Sequence, residues 1–149
     1  MPGDDALRLR AYERVRQAVE SLAHRGPASE VVDRCPEAAA AAADLDRVVL
    51  GRNENGTLVV ERLHTSNGNH GDPAEQLRRS PVRLSYPLLE CEVLRRRQAR
   101  LVADIDHSQP ARYAFLETLG WREYVAAPIV VDAEVVGFLH GDRTPSRRR

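Results

Sequence analysis

WREYVAAPIVVDAEVVGFLHGDR, residues 121–143, holds two apolar runs separated by Asp132-Ala133-Glu134, a break suited to a hairpin turn. Both runs are rich in Val and Ile and nearly continuous in hydrophobicity, which predicts strands covered on both faces with helices packed on each side. Two residues sit awkwardly in that hairpin. Pro128 would remove a ladder donor from a central strand, so it belongs at an edge or a bulge. Ala133 stands in the turn, where positive φ suits Gly better than Ala. Either the turn is a residue longer or some strain is accepted.

Upstream of the hairpin, Ser108 and Pro110 mark the start of a helix through Leu119 that stops at Gly120. Leu101–Ala103 reads as a brief strand, Pro87 opens a helix to about Arg97, and Pro81–Ser85 reads as a short strand. Asp72-Pro73-Ala74-Glu75 supplies an N-cap, a proline at the first helical position and a glutamate, predicting a short helix to about Arg79. Before the loop at 65–71, the β-rich runs 46–52 and 57–64 flank Asn53-Glu54-Asn55-Gly56, whose Asn-Gly step favours a hairpin because both residues tolerate positive φ.

The N-terminal part is helical. From Asp5 to Arg25, Leu7, Ala11, Val15, Ala18, Val19 and Leu22 form one apolar stripe. Gly26 and Pro27 end that helix, and the next stretch, 28–43, is expected to break at Pro36 into two pieces. No regular strand-helix-strand repeat occurs, so the fold class is α+β with a central antiparallel sheet. The expected division is an amphipathic helix over 1–27, a domain over 28–143 and an Arg-rich tail over 144–149.

The 149 residues, 42% hydrophobic and 30% charged, suffice for one core. Formal net charge is zero, so the field needed to hold a polyanion is missing and direct nucleic-acid binding is not expected. All 22 basic residues are Arg, which carries no mechanism by itself. Cys35 and Cys91 fit no metal or CxxC spacing and read as free, partly buried thiols of a cytoplasmic protein. The charged start MPGDDALRLR and the shortness of the apolar run at 38–43 predict neither a signal peptide nor a membrane span.

Several segments together resemble GAF domains over about 28–142. They are Asp46–Leu50, Pro87–Glu90, Tyr124–Ile129 and Gly137–His140. The likeness is to the sensory GAF modules that precede LuxR-class helix-turn-helix domains. It implies a central antiparallel sheet, terminal helices on one face that often dimerise, and short helices and loops over the other face enclosing a ligand cavity. The function it implies is a small-molecule sensor, the input module of a transcriptional regulator. The alternatives are a ligand-free dimerisation module and, further off, a thiol-dependent reductase. Through the resemblance, a partner subunit would cover the stripe of the first helix, making a homodimer.

Tyr86, Tyr113, Phe115, Trp121 and Tyr124 cluster between the hairpins and, with His107 beside Asp106, form the candidate lining for a small apolar or aromatic ligand. Ordinary core packing is the plainer reading of each aromatic. His64 and His70 flank a loop at a spacing that matches no metal pattern, so no metal or other cofactor is expected, haem included. His140 reads as a structural hydrogen-bonding residue. Arg95, Arg96, Arg97 and Arg100 read as a solvated helix end in preference to an anion site. No catalytic motif is present, so no enzyme activity is expected.

Overall fold

The computed structural model describes residues 2–23, 26–66, 79, 81–103, 108–113 and 120–143. Helix α1 spans Pro2–Ala23 and α2 Ala28–Ala43. The strands are β1 (Arg47–Glu54), β2 (Thr57–Thr65), β3 (Val82–Arg83), β4 (Arg100–Val102), β5 (Tyr124–Val131) and β6 (Glu134–Asp142). Helix α3 spans Leu89–Arg96, and a 3-10 turn covers Pro110–Arg112. The strands form one six-stranded sheet in the order β3-β2-β1-β6-β5-β4, and the pairings are antiparallel. This is the expected α+β architecture.

Both hairpins turn on two residues with positive φ. Asn55 and Gly56 have φ of 51° and 81°, and Asn53 Oδ1 accepts from Gly56 N–H at 3.0 Å to hold the turn. Asp132 and Ala133 have φ of 48° and 66° between the paired residues Val131 and Glu134. The closing turn is therefore not lengthened, and Ala133 carries the strain of a left-handed backbone. Pro128 is reconciled with its strand by topology. Strand β4 covers only Tyr124–Ala126, so from Ala127 onward β5 is the sheet edge, where a missing N–H donor costs little.

Residues that pair across antiparallel strands share a face, which assigns the two sides of the sheet. Val48 and Leu50, with Leu139 and Gly141 opposite them, face one way. On that side α2 packs over β1 and β2 through its buried Pro36 and Ala40, and α1 packs on α2. Val49, Phe138, His140, Ala126 and Tyr124 face the other way, and with Leu58, Val60, Val102, Trp121 and the α3 residues Leu89 and Val93 they make the buried core.

Several expectations need correction. Helix α2 runs unbroken through Pro36. A proline removes one ladder bond, but the helix is held on both sides, by Arg14 Nε to Ala42 O at 3.0 Å from α1 and by Arg62 Nε to Asp33 Oδ1 at 2.5 Å from β2. Its alanine-rich second half adds helix propensity. The segment from Ser108 is a turn leading into one 3-10 turn, with Tyr113 already outside it, so the helix expected there does not begin at Ser108; 114–119 lie outside the described residues. The short helix expected over 72–79 lies outside them too, except that Arg79 is helical. The closing hairpin is covered on both faces only near its base: Val130, Val131 and Val136 at its tip are exposed.

Candidate functional site

Helix α3 follows a turn containing a cis Tyr86–Pro87 peptide and ends at Arg97, whose left-handed backbone lets its N–H bond Val93 O. Leu89 and Val93, four apart, turn one face to the sheet, and Glu90 lies beside them on the buried side. A carboxylate there needs a partner. His140 on β6 supplies it, its Nε2 hydrogen-bonded with Glu90 Oε1 at 2.9 Å and both side chains at most 1% exposed. The imidazole is also flanked by rings, Phe138 at 6.0 Å and Tyr124 at 6.3 Å between centroids.

Tyr124 on β5 is buried with its hydroxyl beside this pair. Burial first, then the negative charge of Glu90, pushes that hydroxyl well above the ordinary phenol value, so it stays protonated. Among the described residues, neither Tyr124 Oη nor Glu90 Oε2 has a hydrogen-bond partner. Buried polar atoms are usually satisfied, so this unmet capacity marks the site.

One row of the sheet runs Arg100, Ala126, His140, Val49 and Leu63 across five strands. Ala126, the small residue in that row, stands between Arg100 and His140 on the neighbouring strands. Arg100 Nη2 reaches Glu92 Oε1 on α3 at 2.8 Å, while its Nε is buried and without a hydrogen-bond partner among the described residues. Arg112 Nη2 donates to Glu92 Oε2 at 3.0 Å and its guanidinium lies 6.0 Å from the Tyr113 ring centre. The Arg112 hydrogen bond, opposed by desolvation and helped by the charges of Arg100 and Arg96, holds the Glu92 carboxyl below its usual range. A carboxylate clamped by three guanidiniums thus ties together α3, β4 and the 3-10 turn at the margin of the Glu90–His140 pair.

Of the sequence-derived candidates, Tyr124, Trp121 and Tyr113 lie on this side of the sheet, Tyr124 at its centre. Trp121 serves as a platform for Arg47, whose guanidinium sits 5.0 Å from the ring centre while it grips the buried Asp142 carboxylate with two nitrogens. Tyr86 stands apart, 90% exposed. His107 and Phe115 lie outside the described residues. Within the first helix, Ala11, Ala18 and Leu22 are half-buried, whereas Leu7, Val15 and Val19 are exposed together with Leu9 and Tyr12. Sequence reasoning missed Glu90, Glu92 and Arg112. The available signal was a carboxylate set inside the apolar run Leu88-Leu89-Glu90-Cys91.

A separate cleft of about 330 Å³ opens on the opposite face at the β4 edge, walled by Ala43, Leu45, Leu101, Val125, Gly141 and Arg143. Its charged groups are already engaged, Arg143 with Asp44 at 3.1 Å and Asp142 with Arg47. It offers apolar surface and few free polar groups. Among the described residues no cluster of His, Cys, Asp and Glu could hold a metal ion, and no helix is long and apolar enough to cross a membrane.

The sequence profile of the GAF domain matches residues 27–148. The chain belongs to the GAF domain family. No curated protein matches it. Among solved structures, this GAF domain is similar to that of an Acinetobacter phosphoenolpyruvate-protein phosphotransferase, at 14% identity and a TM-score of 0.65 over 89% of this chain and 76% of that one. The A. aeolicus Nlh2 GAF domain in an inactive state aligns at 16% identity and a TM-score of 0.63, covering 91% and 80% of the two chains. The chromophore-binding domain of a Stigmatella aurantiaca bacteriophytochrome aligns at 13% identity and a TM-score of 0.66, covering 92% of this chain and 52% of that one. At these identities the likeness is one of fold.

Proposed function

We propose that this GAF domain is a cytoplasmic signal-input module of a transcriptional regulator, which holds a small molecule on the α3 face of the sheet. GAF domains are sensory, ligand-binding modules. The observation that carries the reading is the buried Glu90–His140–Tyr124 group, in which Glu90 Oε2 and Tyr124 Oη have no hydrogen-bond partner among the described residues. Core aromatics around it, Phe138, Trp121 and Tyr124, suit the body of an apolar or aromatic ligand. Strands β1 and β6 carry this face on alternate residues and the α2 contact on the others, so a ligand that prefers one sheet geometry also biases how α1 and α2 sit.

No catalytic role is proposed. Burial raises the thiol pKa of both Cys35 and Cys91, which keeps them in the less nucleophilic form. Native mass spectrometry against the denatured mass tests the sensor reading. It expects an excess of a few hundred daltons in the native state, or a thermal shift with some small molecule; a bare chain that no compound stabilises would refute it.

A second reading, dimerisation through α1, is favoured by the exposed Leu9, Tyr12, Val15 and Val19 on that helix. A second copy of the chain would cover them. The same native spectra expect a dimer that Val15→Glu with Val19→Glu converts to monomer.

A further inference from the structure

Among the described residues, three buried polar atoms without hydrogen-bond partners lie on the same side of the sheet beneath or beside α3: Glu90 Oε2, Tyr124 Oη and Arg100 Nε. They come from three elements. Arg100 and Tyr124 are on neighbouring strands with their side chains on one face, because Arg100 pairs with Ala126 and Val102 with Tyr124. Glu90 reaches the same region from the helix, bound to the His140 that pairs with Ala126 from the other side. The hydrogen-bonding characters differ: a carboxylate oxygen accepts, a guanidinium Nε–H donates, and a phenol does either.

We propose that these atoms receive the polar head of a small ligand that carries both an N–H donor and a carbonyl or carboxylate acceptor, the chemistry of a free amino acid or its amide. The N–H group, an ammonium or an amide, donates to Glu90 Oε2. The carbonyl or carboxylate accepts from Arg100 Nε, and Tyr124 Oη–H adds a second bond to it. An anion alone would leave the Glu90 oxygen facing like charge. An amine alone would leave the Arg100 donor unmet. A head bearing both satisfies the three atoms together, and Ala126 is the small residue between the two ends. The ligand body then lies against Phe138, Tyr124 and Trp121, as an apolar or aromatic side chain would. This assignment rests on the sensor reading and adds its ligand class.

The test is isothermal titration and thermal shift on the full chain with the twenty free amino acids and their amides. A control panel of matched carboxylates without the nitrogen, such as 3-phenylpropionate beside phenylalanine, runs in parallel. At least one nitrogen-bearing compound is expected to bind, and its matched carboxylate to bind at least tenfold more weakly. Tyr124→Phe removes a hydroxyl without a hydrogen-bond partner among the described residues, so the variant is expected to fold as before and still to lose at least tenfold in affinity. Arg100→Met, read on the same ligand, loses affinity as well. If control carboxylates bind as tightly as their nitrogen-bearing partners, or if Tyr124→Phe leaves affinity unchanged, the ligand class is wrong while the sensor reading stands. If neither panel binds and native spectra show no other small molecule, both fall.

Discussion

Replacing His140 by Phe should destabilise this GAF domain far more than replacing His140 and Glu90 together. The pair is sealed, with side chains 0% and 1% exposed and a 2.9 Å contact between Nε2 and Oε1. His140→Phe preserves a planar ring between Phe138 and Tyr124 but leaves a buried carboxylate with its second oxygen also unmet. Removing one partner of a buried pair costs about 3–5 kcal/mol, because the remaining group stays desolvated. For a chain of this size each kcal/mol moves Tm by about 2–4 °C, so the single variant should melt roughly 6–20 °C lower. Glu90→Leu combined with His140→Phe removes the stranded charge and is expected within about 1 kcal/mol of the parent.

Urea unfolding at pH 7, followed by circular dichroism on the parent, both single variants and the double variant, reads the coupling directly. A coupling of about 3 kcal/mol is expected. If His140→Phe costs under about 1 kcal/mol and the double variant is simply additive, then the carboxylate reaches water or another partner, and the polar site is not isolated.

Ala133→Gly should stabilise the closing hairpin. The left-handed backbone at φ 66° costs an alanine about 1–2 kcal/mol, against about 0.4–1 kcal/mol of extra chain entropy for glycine in the unfolded state, leaving a net gain of about 0.5–1 kcal/mol in urea unfolding. Gly137→Ala should cost more than Gly141→Ala in the same assay. A Cβ at 137 would stand 2.4 Å from the backbone oxygen of Gly51, forcing β1 and β6 apart by overpacking of about 1–3 kcal/mol, whereas at 141 the first obstacle is the mobile end of Leu45. Tyr124 should also make stability fall at high pH. Its folded pKa is raised, so between the unfolded value of about 10 and the folded one the native state holds a proton that the unfolded state has lost. Stability then drops by about 1.4 kcal/mol per pH unit above pH ~10, and urea titrations should find that contribution absent in Tyr124→Phe.

The elements that local chemistry specifies were legible in the sequence. The Asn55-Gly56 turn was readable because positive φ is a property of those two residues, and the Val-rich runs at 124–131 and 134–142 announced two strands, although their cover on both faces holds only near the base of the hairpin. Pro36 misled because a proline penalty is local whereas the hold on α2 is tertiary, through Arg14 and Arg62. The Glu90–His140 pair escaped for a deeper reason. Fifty residues separate the partners, and nothing in the pattern around either one specifies the other.

What unites Glu90 and His140 is register. With His140 opposite Ala126 and Val49, its ring must point to the α3 side, and a slip of one residue in β6 would turn Leu139 there and send His140 into the α2 contact. A buried carboxylate on α3 would then lose its partner. The polar pair therefore gives β6 an energetic reason to keep its register, beyond the apolar alternation that Val49 and Phe138 already impose. Glu90 and His140 help set the very alignment that gathers Arg100, Tyr124 and Glu90 on one face, so the candidate site and the sheet's register depend on the same contact.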